Sequence, residues 1–420
     1  MMGEEVNVVG QRQIHVVGGG TLTPVAPHLQ LASRAYGTTA RRIAELCGTF
    51  WTGLGVNLHL TRMADPSSKV ESVNDLWKLA EDIVSDFNTK IVFWSPAVVD
   101  WEMYDSPHNG KFDSAGEPPT FDLGPAPKIV HLFRKLAVNE MAPRKDIFLV
   151  AFKATTGASE DEQYLAALKL LKSSSANLVL SNDTATRVNM IVTPEEARYC
   201  VTTDREAALR ELLEMSYLRS QLTFTQSTVI AGDPVDWNSA EVYPSLRHVV
   251  NFCIDQGAYK PFMGVTAGHF AAKVGDAEFL TSRRKTNFNN LGSTGLVRVR
   301  TDGPDRVVAL GSRPSVGGQS QRIVFDDHPE KDCIVHFHCP LLPGSKVPVV
   351  SQREFECGSH ECGQNTSDGL RTMDENGIEA VMLDNHGPNI VFHHDVDPVL
   401  VMDFIWSNFD LKAKTGGHVS

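Results

Sequence analysis

No apolar run in this chain approaches the ~20 residues that a membrane-spanning helix needs. Positive charge is also in deficit. With 39 Lys and Arg against 51 Asp and Glu, the formal net charge is −12, which argues against a surface made for nucleic acid or anionic lipid, where a basic face is expected. The opening residues, with Glu4 and Glu5 ahead of a short apolar stretch, lack a signal-peptide pattern. The expectation is a soluble, cytoplasmic protein that takes a small-molecule substrate and has neither nucleic acid nor membrane as a partner. Cysteine is sparse and odd in number. The 7 cysteines, spread from Cys47 to Cys362, do not suggest a small disulfide scaffold and read as reduced thiols. At 420 residues the chain exceeds what one hydrophobic core organises, and its 42% hydrophobic content can supply two.

The first half alternates strand and helix patterns. Residues 6–17, interrupted near Gly10, close on Ile14-His-Val-Val17 as a buried strand that runs into Gly18-Gly19-Gly20-Thr21. Residues 34–47 follow with Ala40, Ile43, Ala44 and Cys47 on one helical stripe. Strand, glycines and helix in that order open a nucleotide-binding α/β fold, where bare backbone approaches a phosphate. The spacing is not G-x-G-x-x-G, so glycines serving only a tight turn are the alternative. Strand patterns at 56–60, 90–95, 146–152 and 176–180 alternate with helical ones at 73–87, 127–138 and 160–171. Residues 104–127 read as a long surface loop, and 195–218 as a turn and a closing helix. This predicts a mostly parallel sheet with helices on both faces.

Several of these pieces, in this order, resemble the phosphopantothenate-cysteine ligase family. They are Gly19-Gly-Thr21 with Pro24 and Pro27, Ser95-Pro-Ala-Val-Val-Asp-Trp101, Pro127-Lys-Ile-Val130, Phe148-Leu-Val-Ala-Phe-Lys153 and Asn177-Leu-Val-Leu-Ser-Asn-Asp183. The resemblance implies a Rossmann-like, doubly wound domain over residues 1–222 that binds a nucleoside triphosphate with Mg2+. Gly18, Gly19, Gly20, Lys153, Asn182 and Asp183 would be its cofactor-binding residues. Leu29 and Ser33 stand where the family carries an arginine and a catalytic asparagine, and Lys111 takes the place of its flap lysine. Nucleotide or phosphate binding is therefore implied more strongly than ligation.

Polar residues 223–240, containing Gly232-Asp-Pro234, read as a linker. Helical spacing over 244–257 and strand patterns over 264–272, 277–281 and 295–300 lead to Cys333-Ile-Val-His-Phe-His-Cys-Pro340. In an extended strand, residues i and i+2 share a face, so His336 and His338 converge while Phe337 packs behind them. A third histidine ends a second buried run, Val381-Met-Leu-Asp-Asn-His386-Gly387-Pro388. Three neutral imidazoles make a first-row metal site with an open position, as a catalytic zinc needs. Histidines satisfied by core hydrogen bonds are the alternative.

With Thr266-Ala-Gly-His-Phe-Ala-Ala-Lys273, Phe279-Leu-Thr-Ser282, Asn385-His-Gly387 and a helix over about 397–409, these histidines make residues 241–420 resemble the class II aldolase and adducin superfamily. The resemblance implies an α/β/α domain with Zn2+ or another divalent metal on His336, His338 and His386. It also implies a phosphate clamp from Thr266, Gly268, Thr281 and Ser282, and a homo-oligomer. The glutamate that the family places before its His-x-His strand is absent from Pro314-Ser-Val-Gly-Gly-Gln-Ser-Gln321. Glu356 and Glu361 become the candidates for acid and base. They flank Cys357 in a segment whose Cys357, His360 and Cys362, with Cys339, also fit a second, structural zinc. His393 and His394 read as surface residues. The expected function is a zinc-dependent lyase or isomerase acting on a phosphorylated or nucleotide-linked small molecule, fused to a nucleotide-binding ligase-like domain. A ligase-plus-aldolase enzyme and a non-catalytic adducin-like assembly protein are the alternatives.

Overall fold

The computed structural model describes residues 12–51, 53–104 and 109–417; the part of the expected first strand at 6–11 lies outside them. The chain divides into two compact units, Met1–Val192 with Cys200–Ser216 and Thr193–Tyr199 with Tyr217–Ser420.

The first unit is built on a seven-stranded sheet in the order Arg198–Thr202, Asn189–Val192, Leu178–Asp183, Phe148–Thr155, Thr89–Trp94, Gln13–Gly18, Gly55–Leu60. The last five in that order are mutually parallel. Ile14, Val16 and Val17 and then Ile91, Val92 and Phe93 are buried without alternation, because helices cover both faces of a parallel sheet. Those helices include Thr38–Phe50, Val73–Ser85 and Glu160–Ser174, the last two begun by the capping boxes Ser72/Asp75 and Ser159/Glu162. The next two strands of this sheet in chain order, Gly55–Leu60 and Thr89–Trp94, lie on opposite sides of Gln13–Gly18, so strand order reverses there, as at the switch point of a doubly wound fold. The helix expected over 127–138 is a single 3-10 turn, Ile129–His131. Side-chain bonds from Arg134 to Asn177 Oδ1 (2.7 Å) and from Lys135 to the Ser173 carbonyl (2.6 Å) hold this segment instead of a helical ladder. Within the expected surface loop, Leu123–Pro125 pairs with Trp101–Met103; residues 105–108 lie outside the description.

The second unit carries a ten-stranded, mostly antiparallel sheet. Nine strands form its path, Gln226–Ile230, Arg306–Leu310, Leu296–Thr301, Glu278–Ser282, His269–Gly275, Cys333–His336, Gly387–Phe392, Glu379–Leu383, Val349–Val350, and the tenth, Arg371–Thr372, pairs with Glu379–Leu383 off that path. Side chains alternate across it. Val335 and Phe337 pack with Leu246 and Val249 of helix Pro244–Asp255 and with Val401 and Ile405 of helix Pro398–Asn408. Ile334 points the other way, toward Val324 and Phe325 of helix Val316–Asp327 and toward Leu370. The result is the α/β/α layering that the resemblance implied. The stretch read as a linker contributes Gln226–Ile230, parallel to Arg306–Leu310. That edge strand is mostly exposed, so it carries no apolar stripe by which a sequence reading would find it.

Candidate metal centre

The strands Cys333–His336 and Gly387–Phe392 are antiparallel neighbours, with His336 opposite Asn389. The turn between Glu379–Leu383 and Gly387–Phe392 is three residues long, and its sequence explains its shape. Asn385 adopts φ +56°, a left-handed conformation that Asn tolerates, and the His386 N–H closes the turn on the Leu383 carbonyl at 3.0 Å. A side chain at Gly387 would place its Cβ 2.1 Å from the Phe337 carbonyl oxygen, so only glycine lets the turn approach the His-x-His segment. This delivers His386 to the pair. His336, His338 and His386 are all buried and offer ligand nitrogens within 4.8 Å of one another. His336 Nε2 and His386 Nε2 lie 3.2 Å apart. Phe337, between the first two, packs on the opposite core against Phe409.

Two features fit this set to a divalent cation. Nitrogens bound to zinc at ~2.05 Å in a tetrahedron sit about 3.3 Å from each other, close to the observed Nε2 separation. His336 Nδ1 lies 2.7 Å from the Pro388 carbonyl, which takes its N–H and leaves Nε2 as a lone-pair donor. His386 Nδ1 is buried without a hydrogen-bond partner. Burial pushes the His336 imidazole down to about 4, against the opposing pull of the Pro388 carbonyl, and holds His386 well below the ordinary histidine value with His336 adding to the effect. Both are neutral near pH 7, the form that ligates metal.

The sequence reading missed several partners of the triad. His269, opposite His336 in the neighbouring strand, stacks on it at 4.6 Å and contacts Gln321 of helix Val316–Asp327 through Nδ1. Burial, and then His336, hold His269 well below the ordinary value. His269 lies inside a quoted motif, but its role depends on register between distant strands. A narrow crevice beside the triad is lined by His269, Gln321, Cys357, Cys362, His386 and Asn389, among others. Cys357 Sγ sits 3.7 Å from His386 Nε2. A hydrogen bond with Cys362, followed by burial, pushes the Cys357 thiol well above its ordinary value, so it stays protonated. Thr415 ties the two ligand segments together: its N–H donates to the His338 carbonyl at 3.1 Å and its hydroxyl to the His386 carbonyl.

The chain resembles both families named from its motifs. It is 29% identical over 179 residues to the coenzyme A biosynthesis bifunctional protein CoaBC of Thermococcus kodakarensis, a match covering 41% of this chain and 41% of that protein. The chain thus matches less than half the length of this curated relative. Among solved structures, a DNA/pantothenate metabolism flavoprotein from Streptococcus pneumoniae aligns with 48% of this chain and 97% of its own at 22% identity and a TM-score of 0.40. YgbL of Escherichia coli, described as a putative aldolase/epimerase/decarboxylase, aligns with 38% of this chain and 82% of its own at 19% identity and a TM-score of 0.30. No protein-family model matches the chain.

Other expected site residues are placed differently. The buried Thr281 hydroxyl donates to the Phe270 carbonyl and contacts Gln321 Oε1, both at 3.1 Å, and the Thr266 hydroxyl accepts the Phe288 N–H at 3.1 Å. These hydroxyls are engaged within the fold rather than presented to a phosphate. Ser282 is also buried. Gly268, at φ +108°, has a structural reason: a Cβ there would meet the His336 carbonyl at 2.6 Å. Glu361 accepts the Thr223 N–H at 3.0 Å. Glu356 is buried, and its charge helps raise the Arg219 guanidinium; neither glutamate lines the crevice. The proposed second zinc set does not assemble. His360 Nδ1 faces Asp305 at 2.9 Å and the Cys339 thiol points to the Ala258 carbonyl at 3.6 Å, while Cys357 and Cys362 stay beside the triad.

In the first unit, parallel pairing brings Gly18, Lys153, Asn182 and Asp183 to the same edge of the sheet. Three strand spacings, roughly 14 Å, separate the ends of that set. Asp183 is consumed by the fold: its carboxylate accepts from the N–H groups of Gly157, Ala158, Ala185 and Thr186 and from the Thr155 hydroxyl, at 2.8–3.0 Å. These bonds, Thr186's first, hold it well below the carboxylate range. Gly18 and Gly20 are required by packing, since Cβ atoms there would lie 2.4 Å from Ala40 Cβ and 2.0 Å from the Ser33 carbonyl. Gly19 has φ +106° and abuts Thr61. Lys153 and Asn182 are half-buried at the strand ends.

Proposed function

We propose that the second unit is a divalent-metal lyase or isomerase of class II aldolase type, and that the first unit binds a nucleotide or a nucleotide-linked form of the same substrate. The 3.2 Å approach of two buried imidazole nitrogens, with His338 beside them, carries this reading. His336, His338 and His386 would hold Zn2+ or another first-row cation, which, when bound, supplies a Lewis acid to a substrate carbonyl or hydroxyl oxygen. The Pro388 carbonyl fixes the His336 ring in its ligating tautomer. The crevice lined by His386 and Asn389 is narrow, which limits water beside the ligand set. With no glutamate before the His-x-His strand, the protonated Cys357 thiol is the group best placed to give a proton to the reacting carbon or oxygen.

The sequence relative's naming for coenzyme A biosynthesis supports a phosphorylated or nucleotide-linked substrate. For the first unit we infer a nucleoside triphosphate with Mg2+ at the sheet edge near Gly19, Lys153 and Asn182; self-association of the chain belongs to the same proposal. The test incubates zinc-loaded protein with dihydroxyacetone phosphate in D2O and follows exchange of the carbon-bound proton by NMR. Exchange that is lost in His386→Ala supports the reading. No exchange with this or any other phosphorylated ketone by a protein that demonstrably holds zinc overturns it.

A further inference from the structure

The strand pair that carries the triad at one end carries a second set of metal-ligand side chains at the other. Cys333 pairs with Phe392, so Asp332, just before one strand, meets His393 and His394, just after its neighbour. Asp332, His393 and His394 offer ligand atoms within 4.8 Å of one another. Asp332 Oδ2 lies 3.7 Å from His393 Nε2 and in contact with His394 Nδ1. Four residues of strand, about 13 Å, separate Asp332 from His336, so the two clusters cannot share an ion.

The surroundings of this cluster are those of a ligand set. The other two ring nitrogens face a single carboxylate: His393 Nδ1 is 3.5 Å from Asp395 Oδ2, and His394 Nε2 is 3.4 Å from Asp395 Oδ1. Metal-bound histidines direct a second N–H to a carboxylate; His394 Nε2 is placed to do so, whereas His393 Nδ1 accepts the Asp395 N–H. Asp332 is also fixed in place, with Oδ1 accepting the His394 N–H at 2.7 Å and its own carbonyl accepting the Lys273 N–H at 2.7 Å. Tyr243 stacks on the His394 ring at 4.2 Å and 10°, and its hydroxyl is anchored on the Lys273 carbonyl at 2.9 Å. The Asp395 N–H lies 3.2 Å from His393 Nδ1.

We propose that Asp332, His393 and His394 form a second divalent-cation site, selective for zinc-like first-row ions by its two imidazoles and one carboxylate. His393 and His394 are 43% and 35% exposed, so the fourth position opens to solvent and the ion exchanges. The proposal does not depend on the triad. The test is isothermal titration of tag-free, metal-stripped full-length protein with Zn2+. A His336→Ala/His386→Ala chain should bind one zinc, and adding His393→Ala should abolish it. His394→Ala should do the same. Circular dichroism shows whether each chain is folded, and the exposed His393 makes its variant the least disruptive. If the triad variant binds no zinc, or binds it equally well with His393→Ala, the proposal is overturned. Should the triad variant not fold, the wild-type chain decides: His393→Ala must lower its zinc stoichiometry, and an unchanged count overturns the proposal.

Discussion

The segment that carries Glu356 and Cys357 past the triad is held by a buried ion pair, and removing half of that pair should loosen the second unit. Arg219 Nη1 lies 3.0 Å from Glu195 Oε2, with both side chains 0% exposed. Arg219 also donates to the carbonyls of Gln352 at 3.2 Å and Arg353 at 2.9 Å, while Glu195 Oε1 accepts the Cys357 N–H at 2.7 Å. Burial alone would depress the Arg219 guanidinium, but the Glu195 and Glu356 carboxylates outweigh it and raise it. Glu195→Ala leaves that charge buried without its partner, at a cost of about 3–5 kcal/mol. Replacing both groups with apolar ones strands the Glu356 carboxylate and leaves the backbone groups of 352, 353 and 357 unpaired, each worth about 1–3 kcal/mol, so the Glu195→Leu/Arg219→Met chain should lose at least as much stability as Glu195→Ala. The assay is urea unfolding with hydrogen exchange at the Cys333–His336 amides as the reporter, because a two-unit chain need not unfold in one step. A loss below about 1 kcal/mol in Glu195→Ala refutes the reasoning.

Gly268→Ala should cost about 2–4 kcal/mol, since it combines a left-handed backbone with a Cβ 2.6 Å from the His336 carbonyl; an unchanged thermal midpoint contradicts this. Thr415→Val removes the hydroxyl bond to the His386 carbonyl and should weaken zinc binding by up to about tenfold, measured by chelator competition. His15 is depressed to about 4, first by burial and then by the neighbouring His59. The unfolded chain takes this proton below about pH 6.5 while the native chain does not, so stability falls as pH drops from about 6.5 to about 4. His15→Gln should flatten that part of the urea-midpoint profile, and an unchanged slope contradicts the assignment.

The first unit was legible because its parallel strands are buried on both faces and so appear as unbroken apolar runs between capped helices. The histidine triad was legible for a similar reason, since strand alternation puts His336 and His338 on one side of Phe337 and Asn385-His386-Gly387 spells out its own turn. What escaped depends on distant pairing. His269 becomes part of the site through its register against His336, and Asp332 meets His393 and His394 through strand adjacency. The segment at 193–199 packs into the second unit through Glu195 and Arg219. Asp183 shows the opposite error: a polar residue at a strand end looks available to a ligand until the five donors around it are counted.

X-ray absorption at the zinc edge, on full-length His393→Ala protein loaded with one equivalent of zinc, tests the three-histidine centre most directly. The account predicts imidazole nitrogens at about 2.0–2.1 Å and loss of the ion when His336→Ala is added. A dominant sulfur shell at about 2.3 Å, or zinc retained unchanged without His336, would contradict it.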